Sequence, residues 1–271
     1  MHAVEAKGFK IPTVGLGTWA LRGRDCARLT EQAIHIGYRH IDTAQMYDNE
    51  REVGEGVRVS GLRADVMVTT KVQPTMLSPH DLERSVKESL ARLRLDAIDL
   101  LLIHWPNPRV PLAETLGAMA KMKREGYTRQ IGVSNFTVAL LDEANKISSE
   151  PLACDQIECH PFLDQDKVIS ACRRHGMAVV AYSPIARGGA QGNKVLEKIG
   201  RSHGKSAAQV CLRWLIQQGI VVIPRTSRVE RLKENFDIFD FELSDAEMRE
   251  IRGLAHGSGR IVDWTWSPRW D

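Results

Sequence analysis

The sequence predicts an α/β chain closed into a (β/α)8 TIM barrel, and three observations carry that prediction. Eight short apolar, β-branched runs alternate with segments of helical periodicity from Thr13 to Leu254. No linker divides the halves, so residues 1–271 are expected to form one domain. Nearly every apolar run ends on a polar, aromatic or ionisable residue. Alternating strands and helices imply a parallel sheet, and eight such units suit a closed barrel whose chemistry gathers at the strands' C-terminal ends.

The elements follow in order. Val4 to Pro12 reads as a hairpin around Lys7-Gly8 that plugs the barrel's bottom, and Thr13 to Leu16 as the first strand, running into Gly17-Thr18-Trp19. Arg24 to Ile36 has apolar residues at helical spacing. His40 to Thr43 is the second strand, and the Asp48-Asn49-Glu50 triplet starts a helix reaching Val59. Val66 to Val72 is a strand; Ser78-Pro79-His80-Asp81 opens the next helix with an N-cap serine, proline at the first position and an early acid. The strand Ile98 to His104 and the helix Leu112 to Arg124 complete the first half.

The second half repeats the rhythm. Strands are read at Gln130 to Ser134, Ala153 to Glu158, Ala178 to Tyr182 and Ile220 to Ile223, and helices at Val138 to Ile147 and Gln165 to His175. After the seventh strand a Gly-rich loop, 185–193, leads into extra helices near Lys194 to Ser202 and Ser206 to Gln218. After the eighth come Arg228 to Phe236 and Ser244 to Leu254.

Composition excludes several classes. A hydrophobic share of 43% and a charged share of 26% are those of an ordinary soluble protein. A net charge of +3 with no basic run longer than a pair gives no nucleic-acid footprint. The N-terminus lacks an apolar core, and the run Ala97 to Trp105 is broken by Asp99, so neither signal peptide nor membrane partner is expected and the protein reads as cytoplasmic. Five cysteines, an odd number with no CxxC pair, argue against disulfides and structural zinc, and no metal is expected.

The strand ends carry Trp19, Asp42, Lys71, His104, Ser134 with Asn135, Gln156 with Glu158, Tyr182 and Arg225. Singly, each has an ordinary reading: a solvated lysine, a satisfied buried histidine, a turn at Tyr182-Ser183-Pro184. On one barrel mouth they converge. A phenol with an unperturbed pKa of ~10 is a poor acid, but an ammonium beside Tyr47 favours its phenolate. Asp42 paired to Lys71 would hold that ammonium, while His104 orients a carbonyl by hydrogen bonding and Tyr47 gives the proton.

In their settings HIDTAQMY, TTKV and LIHWP, the residues Asp42, Tyr47, Lys71 and His104 resemble the catalytic tetrad of the aldo-keto reductase superfamily. The similarity extends through GLGTW (15–19), GVSNF (132–136), DQIECHP (155–161), AYSP (181–184), IPRTS (223–227) and RLKENF (231–236). It implies a carbonyl reductase that takes NADPH as cofactor. The same resemblance implies that Thr18, Ser134, Asn135, Gln156, Ser183 and Ile185 line the cofactor and that Tyr182 stacks on the nicotinamide. Arg225, Thr226, Arg231, Glu234 and Asn235 would grip its adenosine end, two guanidiniums suiting a 2′-phosphate.

The chain departs from the family pattern at Arg225 for Lys, Thr226 for Ser, Asp155 for Asn and Cys159 for Tyr. Gly15 to Ala20 also fits GxGxxA, with Asp42 about twenty residues on, as in a dinucleotide-binding Rossmann unit. That reading leaves Tyr47, Lys71 and His104 without a role. His40 with Asp42, and Glu158 with His160, share strand faces at i, i+2 and leave a metal-dependent barrel hydrolase open. A Schiff base on Lys71 and a non-catalytic NADPH-sensing regulatory subunit stay open as well.

Trp264, Trp266 and Trp270 lie in the tail. Trp264 and Trp266 would join Trp19 and Trp105 as aromatic walls for substrate, with Arg260 or Arg269 offering a carboxylate a partner, or the tail would simply pack on the barrel. Compact loops and the closing PRWD are similar to bacterial members acting on 2,5-diketo-D-gluconate and methylglyoxal. That similarity implies small aldehydes, α-ketoaldehydes and keto-sugar acids as substrates, and the family a monomer.

Overall fold

The computed structural model describes residues 2–271. Strands β1 (Ala3–Ala6) and β2 (Phe9–Pro12) pair antiparallel around a tight turn in which Lys7 and Gly8 both have positive φ. The barrel's first half runs β3 (Leu16–Gly17), α1 (Gly23–Ile36), β4 (His40–Asp42), α2 (Glu50–Val59), β5 (Met67–Val72), α3 (Pro79–Leu93), β6 (Ile98–Ile103) and α4 (Leu112–Arg124). Its second half runs β7 (Thr128–Ser134), α5 (Val138–Ile147), β8 (Leu152–Glu158), α6 (Asp166–Arg174), β9 (Ala178–Tyr182) and β10 (Val221–Val222). Helices α7 (Lys194–His203) and α8 (Ala207–Ile216) precede β10, and α9 (Val229–Phe236) and α10 (Asp245–Arg252) follow it. The expected extra helices after the seventh and eighth barrel strands are therefore present.

Strands β3 to β10 pair parallel in sequence order. A parallel bridge between Val14 and Val222 closes the ring. It is bonded from Gly15 N to Val222 O (2.8 Å), Val222 N to Thr13 O (2.9 Å) and Gly17 N to Pro224 O (3.1 Å). The first barrel strand thus serves two neighbours: Val14 faces β10, while Leu16 and Gly17 pair with β4. That is why it departs from the continuous Thr13 to Leu16 strand expected. Gly15 and Gly17 sit in the seam, where a Cβ would lie 2.8 Å from the His40 ring or 2.7 Å from the carbonyl of Ile223.

Two apolar layers follow from strand alternation. On β6, Leu100 and Leu102 point into the barrel with Ile11, Ala153, Val180 and Val221. Leu101 and Ile103 point outward, into the layer shared with helix residues such as Leu29 and Leu116. Ala6 and Ile11 of the hairpin belong to the inner layer, so the hairpin stoppers the barrel from below. Helix starts are local: α8 and α10 carry capping boxes, Ser206 with Gln209 and Ser244 with Glu247. Ser78 stands at the N-cap of α3 with Pro79 behind it, but its hydroxyl bonds the Asp81 carboxylate (2.7 Å) rather than a backbone amide.

Gly17→Ala is expected to force the closing seam apart and to lower stability by roughly 1–3 kcal/mol. Urea denaturation should show a lower midpoint at unchanged slope. An unchanged midpoint would mean that the seam yields without cost.

Candidate active site

The parallel barrel delivers its strand ends to one rim. Asp42 ends β4, Lys71 lies near the end of β5, His104 follows β6, Ser134 ends β7, Gln156 and Glu158 lie in β8, and Tyr182 ends β9. Tyr47 sits in a single helical turn, Gln45–Tyr47, after β4. Lys71 is fully buried, its Nζ 2.5 Å from Asp42 Oδ1 and 2.8 Å from the carbonyl of Thr43. The other Asp42 oxygen accepts the Gln156 amide at 2.7 Å, and the Thr18 hydroxyl donates to the Asp42 carbonyl at 2.9 Å. The Lys71 ammonium is 5.0 Å from the centre of the Tyr47 ring, which meets the His104 ring edge-on at 5.5 Å. The four tetrad side chains form one cluster.

Burial and charge set their protonation. Burial pulls the Lys71 ammonium down, but Asp42 and Tyr47 more than offset it, leaving its pKa above the ordinary value. Burial pushes the Tyr47 phenol up; Lys71 pulls it down, Asp42 pushes it up again, and the net direction is upward. This corrects the expectation that Lys71 brings the phenol toward neutral pH: desolvation outweighs the single ammonium. Tyr47 is therefore protonated at neutral pH. Burial, reinforced by Lys71, holds the His104 imidazole well below its usual value, and its buried Nδ1 has no hydrogen-bond partner. His40, beneath the pair, is pushed down to about 4 by burial, with Asp42 opposing and Lys71 adding.

Ser134, Asn135, Gln156 and Tyr182 are cross-linked next to this cluster. The Ser134 hydroxyl donates to the Gln156 carbonyl (2.7 Å), the Asn135 amide donates to the His104 carbonyl (2.9 Å) and to Ser134 Oγ (3.0 Å), and the Tyr182 hydroxyl donates to Asn135 Oδ1 (2.8 Å). Backbone strain marks the same rim. Ala20, Asp48, Asn135 and Ser183, each directly after Trp19, Tyr47, Ser134 or Tyr182, have φ of 60°, 52°, 63° and 50°.

A separate cleft between the loop after β9 and helix α9 is lined by Ile185, Arg225, Thr226, Arg231, Glu234 and Asn235. Arg225 is exposed and donates to the carbonyls of Trp19 (3.2 Å) and Ala20 (3.5 Å). Glu234 Oε1 accepts the Ser206 hydroxyl (2.6 Å), and Thr226 Oγ1 accepts the Arg228 amide (3.0 Å). Ser183 lies outside that lining, in the turn after Tyr182. The Arg187 guanidinium sits 4.7 Å over the Trp19 ring, so the loop after β9 reaches across to the loop after β3. The cleft and rim fit an elongated cofactor: cationic groups at one end, an aromatic face and amide partners at the other.

The tail both packs on the barrel and sits beside the tetrad. Glu158 accepts the amides of Ile261 (2.7 Å) and Val262 (2.8 Å), with His160 Nε2 at 2.9 Å. Trp105 is 4% exposed, covered edge-on by Trp266 (5.1 Å) and Trp270 (6.0 Å). Trp264 stacks on Trp266 at 6.2 Å, and Trp19, Trp264 and Trp266 are exposed. Sequence reasoning misses the tether formed by Glu158. Its signal, two polar residues at i, i+2 on a buried strand end, points toward metal instead. Among the described residues no three His, Cys, Asp or Glu side chains converge as a metal site.

The model of the aldo/keto reductase family matches residues 13–256 of this chain. The chain is an aldo-keto reductase. Methylglyoxal reductase DkgB of Escherichia coli O157:H7 is 37% identical over 265 residues, spanning 96% of this chain and 99% of that protein. The 9,11-endoperoxide prostaglandin H2 reductase of Trypanosoma cruzi is 42% identical over 250 residues, with 90% of this chain and 88% of that one covered. Among solved structures, a protein assigned as 2,5-diketo-D-gluconic acid reductase B superposes with TM-score 0.98 at 47% identity, covering 100% of this chain and 98% of that one. This aldo-keto reductase is therefore an oxidoreductase of a family that uses a nicotinamide cofactor.

The two depressed histidines carry a pH consequence. Their folded pKa values lie below the unfolded value of about 6.5, so the unfolded chain binds more protons in between. Stability is expected to fall as pH drops from about 6.5 toward about 4, His40 alone accounting for about 3 kcal/mol across that window. Nitrogen NMR of the imidazoles should find both rings neutral at about pH 5, where a solvated histidine is protonated. Ordinary titration of either ring would contradict its burial.

Proposed function

We propose that this aldo-keto reductase reduces small aldehydes, α-ketoaldehydes and keto-sugar acids to alcohols with NADPH, Tyr47 donating the proton. The observation that carries the proposal is the cluster of a protonated phenol, a neutral imidazole and a buried Lys71–Asp42 pair at the barrel mouth. The substrate range follows the relatives named as reductases of methylglyoxal and 2,5-diketo-D-gluconic acid.

The bound cofactor supplies the hydride. Ser134, Asn135 and Gln156 hold its carboxamide; Gln156 gives its Nε2 to Asp42, which leaves Oε1 for an amide N–H. Tyr182 offers the ring a face, and Thr18, Ser183 and Ile185 complete the lining. His104 donates a hydrogen bond to the substrate oxygen, and its neutrality keeps a second cation away from Lys71. Tyr47 then passes its proton to that oxygen, and Lys71, held by Asp42, stabilises the phenolate left behind. Arg225 and Arg231 favour a 2′-phosphate, with Thr226, Glu234 and Asn235 around it. The exposed faces of Trp19 and Trp266 form the substrate walls, with Trp105 behind and Trp264 further out. The same reading makes the protein a cytoplasmic monomer, and its five free, buried cysteines suit a reducing compartment.

Loss of NADPH absorbance with methylglyoxal is the direct assay. Tyr47→Phe should lower kcat by about 10²–10⁴-fold while NADPH still binds. A variant that turns over normally would remove Tyr47 from the acid's role. Arg231→Leu should raise KM for NADPH by roughly tenfold and leave KM for NADH nearly unchanged; equal effects on both would argue against a phosphate contact.

A further inference from the structure

Gln45 opens the turn that carries Tyr47 and bonds to two elements beyond that turn. Strand β4 ends at Asp42, paired with Thr69, yet its neighbour β5 runs on to Val72. Up to that point the two strands exchange backbone bonds. The Met67 amide donates to the Arg39 carbonyl (2.8 Å), and the Thr43 amide donates to the Thr69 carbonyl (2.9 Å). Beyond it the chain leaves the sheet as a helical turn, in which the Gln45 carbonyl accepts the Asp48 amide (3.3 Å). That carbonyl is lost to the ladder. The side chain replaces it: the Gln73 amide donates to Gln45 Oε1 at 3.0 Å. The bond spans 28 residues, as does the one from Met67 to Arg39. Backbone amides alternate sides along a strand, so those of Met67 and Gln73 face the same neighbour. The Gln45 side chain therefore fills the rung that a continued β4 would have supplied.

The other half of the side-chain amide is anchored on α3. Nε2 donates to the Ser85 carbonyl (3.2 Å) and to the Ser89 hydroxyl (3.0 Å). A glutamine that served only α3 would need these two donors alone. Its acceptor is spent instead on the strand that carries Lys71, two residues before Gln73. The far end of the turn is held elsewhere. Asn49 donates to the carbonyls of Thr18 (2.8 Å) and Leu21 (3.1 Å) and accepts the Thr43 hydroxyl (2.7 Å). Those bonds tie the turn to the loop after β3 and to the end of β4, and leave its register on β5 to Gln45. Tyr47 hangs midway between the two amides, its ring centre 5.0 Å from the Lys71 ammonium.

We propose that Gln45 is a positioning residue for the reduction: by standing in for a missing ladder bond it fixes the Tyr47 turn along β5, and with it the spacing between the phenol and Lys71. The proposal rests on the reductase reading, in which Tyr47 gives the proton. A proton donor must lie within hydrogen-bond reach of its acceptor, and a misplacement of about 1 Å costs on the order of a hundredfold in rate.

The test uses Q45M, which keeps the side chain's length and removes its donors and acceptor, and Q45E, which keeps an oxygen for the Gln73 amide. With methylglyoxal, kcat should fall roughly tenfold to a hundredfold in Q45M at nearly constant KM for NADPH, and Q45E should recover most of the loss. In a Tyr47→Phe background Q45M should have no further effect, because the phenol that it places is gone. An undiminished loss in that background, an equal loss in Q45E, or an unchanged kcat would each overturn the proposal. S89A removes one anchor of the amide and is the milder variant: a smaller loss of kcat, again absent beside Tyr47→Phe, is expected. A second readout needs no turnover. The chain has four tyrosines, so ring-labelled protein gives four phenol carbon resonances, and the one missing in Y47F belongs to Tyr47. It should shift in Q45M while those of Tyr38, Tyr127 and Tyr182 stay in place. A Tyr47 signal that does not move, or movement of all four, overturns the placement. If the wild type reduced no carbonyl compound, the reductase reading would fall while the resonances still decided Gln45.

Discussion

The buried Lys71–Asp42 pair is the constraint on which the rest of the mouth depends. Two full charges out of water are stabilising only when every remaining donor and acceptor is satisfied, and removal of either partner would leave a naked charge at a cost of about 3–5 kcal/mol. The barrel meets that condition by bringing several strand ends to one point. Thr43 takes a second Lys71 proton, Gln156 reaches from β8 to the far oxygen of Asp42, and Thr18 pins the Asp42 backbone. The ammonium of the pair then sets the field for its neighbours: Lys71 opposes protonation of His104 and, against Asp42, tempers the desolvation of Tyr47.

The same rim carries backbone strain that the barrel core sustains. Left-handed non-glycine residues cost about 1–3 kcal/mol each, and four of them follow directly on Trp19, Tyr47, Ser134 and Tyr182. Each such turn swings the chain away as soon as its side chain has been delivered. A rigid two-layer core beneath, with the hairpin below, lets the rim tolerate this geometry.

Most of the fold was legible in the sequence because period-two and period-3.6 patterns alternate cleanly, and helix starts such as Ser206 and Ser244 are local signals. The first barrel strand was not, since its split between two neighbours is a consequence of ring closure and leaves only Gly15 and Gly17 as traces. The meeting of Asp42, Lys71 and His104 on one rim could be read from residue type at strand ends; the proton balance of Tyr47, on a turn beyond β4, could not, because desolvation depends on what covers the ring. Glu158 shows the limit most clearly. Its partners, Ile261 and Val262, are backbone amides distant in sequence, and amides carry no residue-type signal.

Ring closure between Val14 and Val222 has a consequence for biogenesis. The first strand emerges early from the ribosome, yet its partner is among the last barrel residues made. At about 5–20 residues per second, the N-terminal edge waits on the order of 10–40 s with one side of Val14 unpaired. Any sheet formed by the earlier strands in that interval keeps this edge bare, and an unpaired strand edge is a template for pairing with another chain. The exposure of that edge is thus a property of the topology rather than of any one residue.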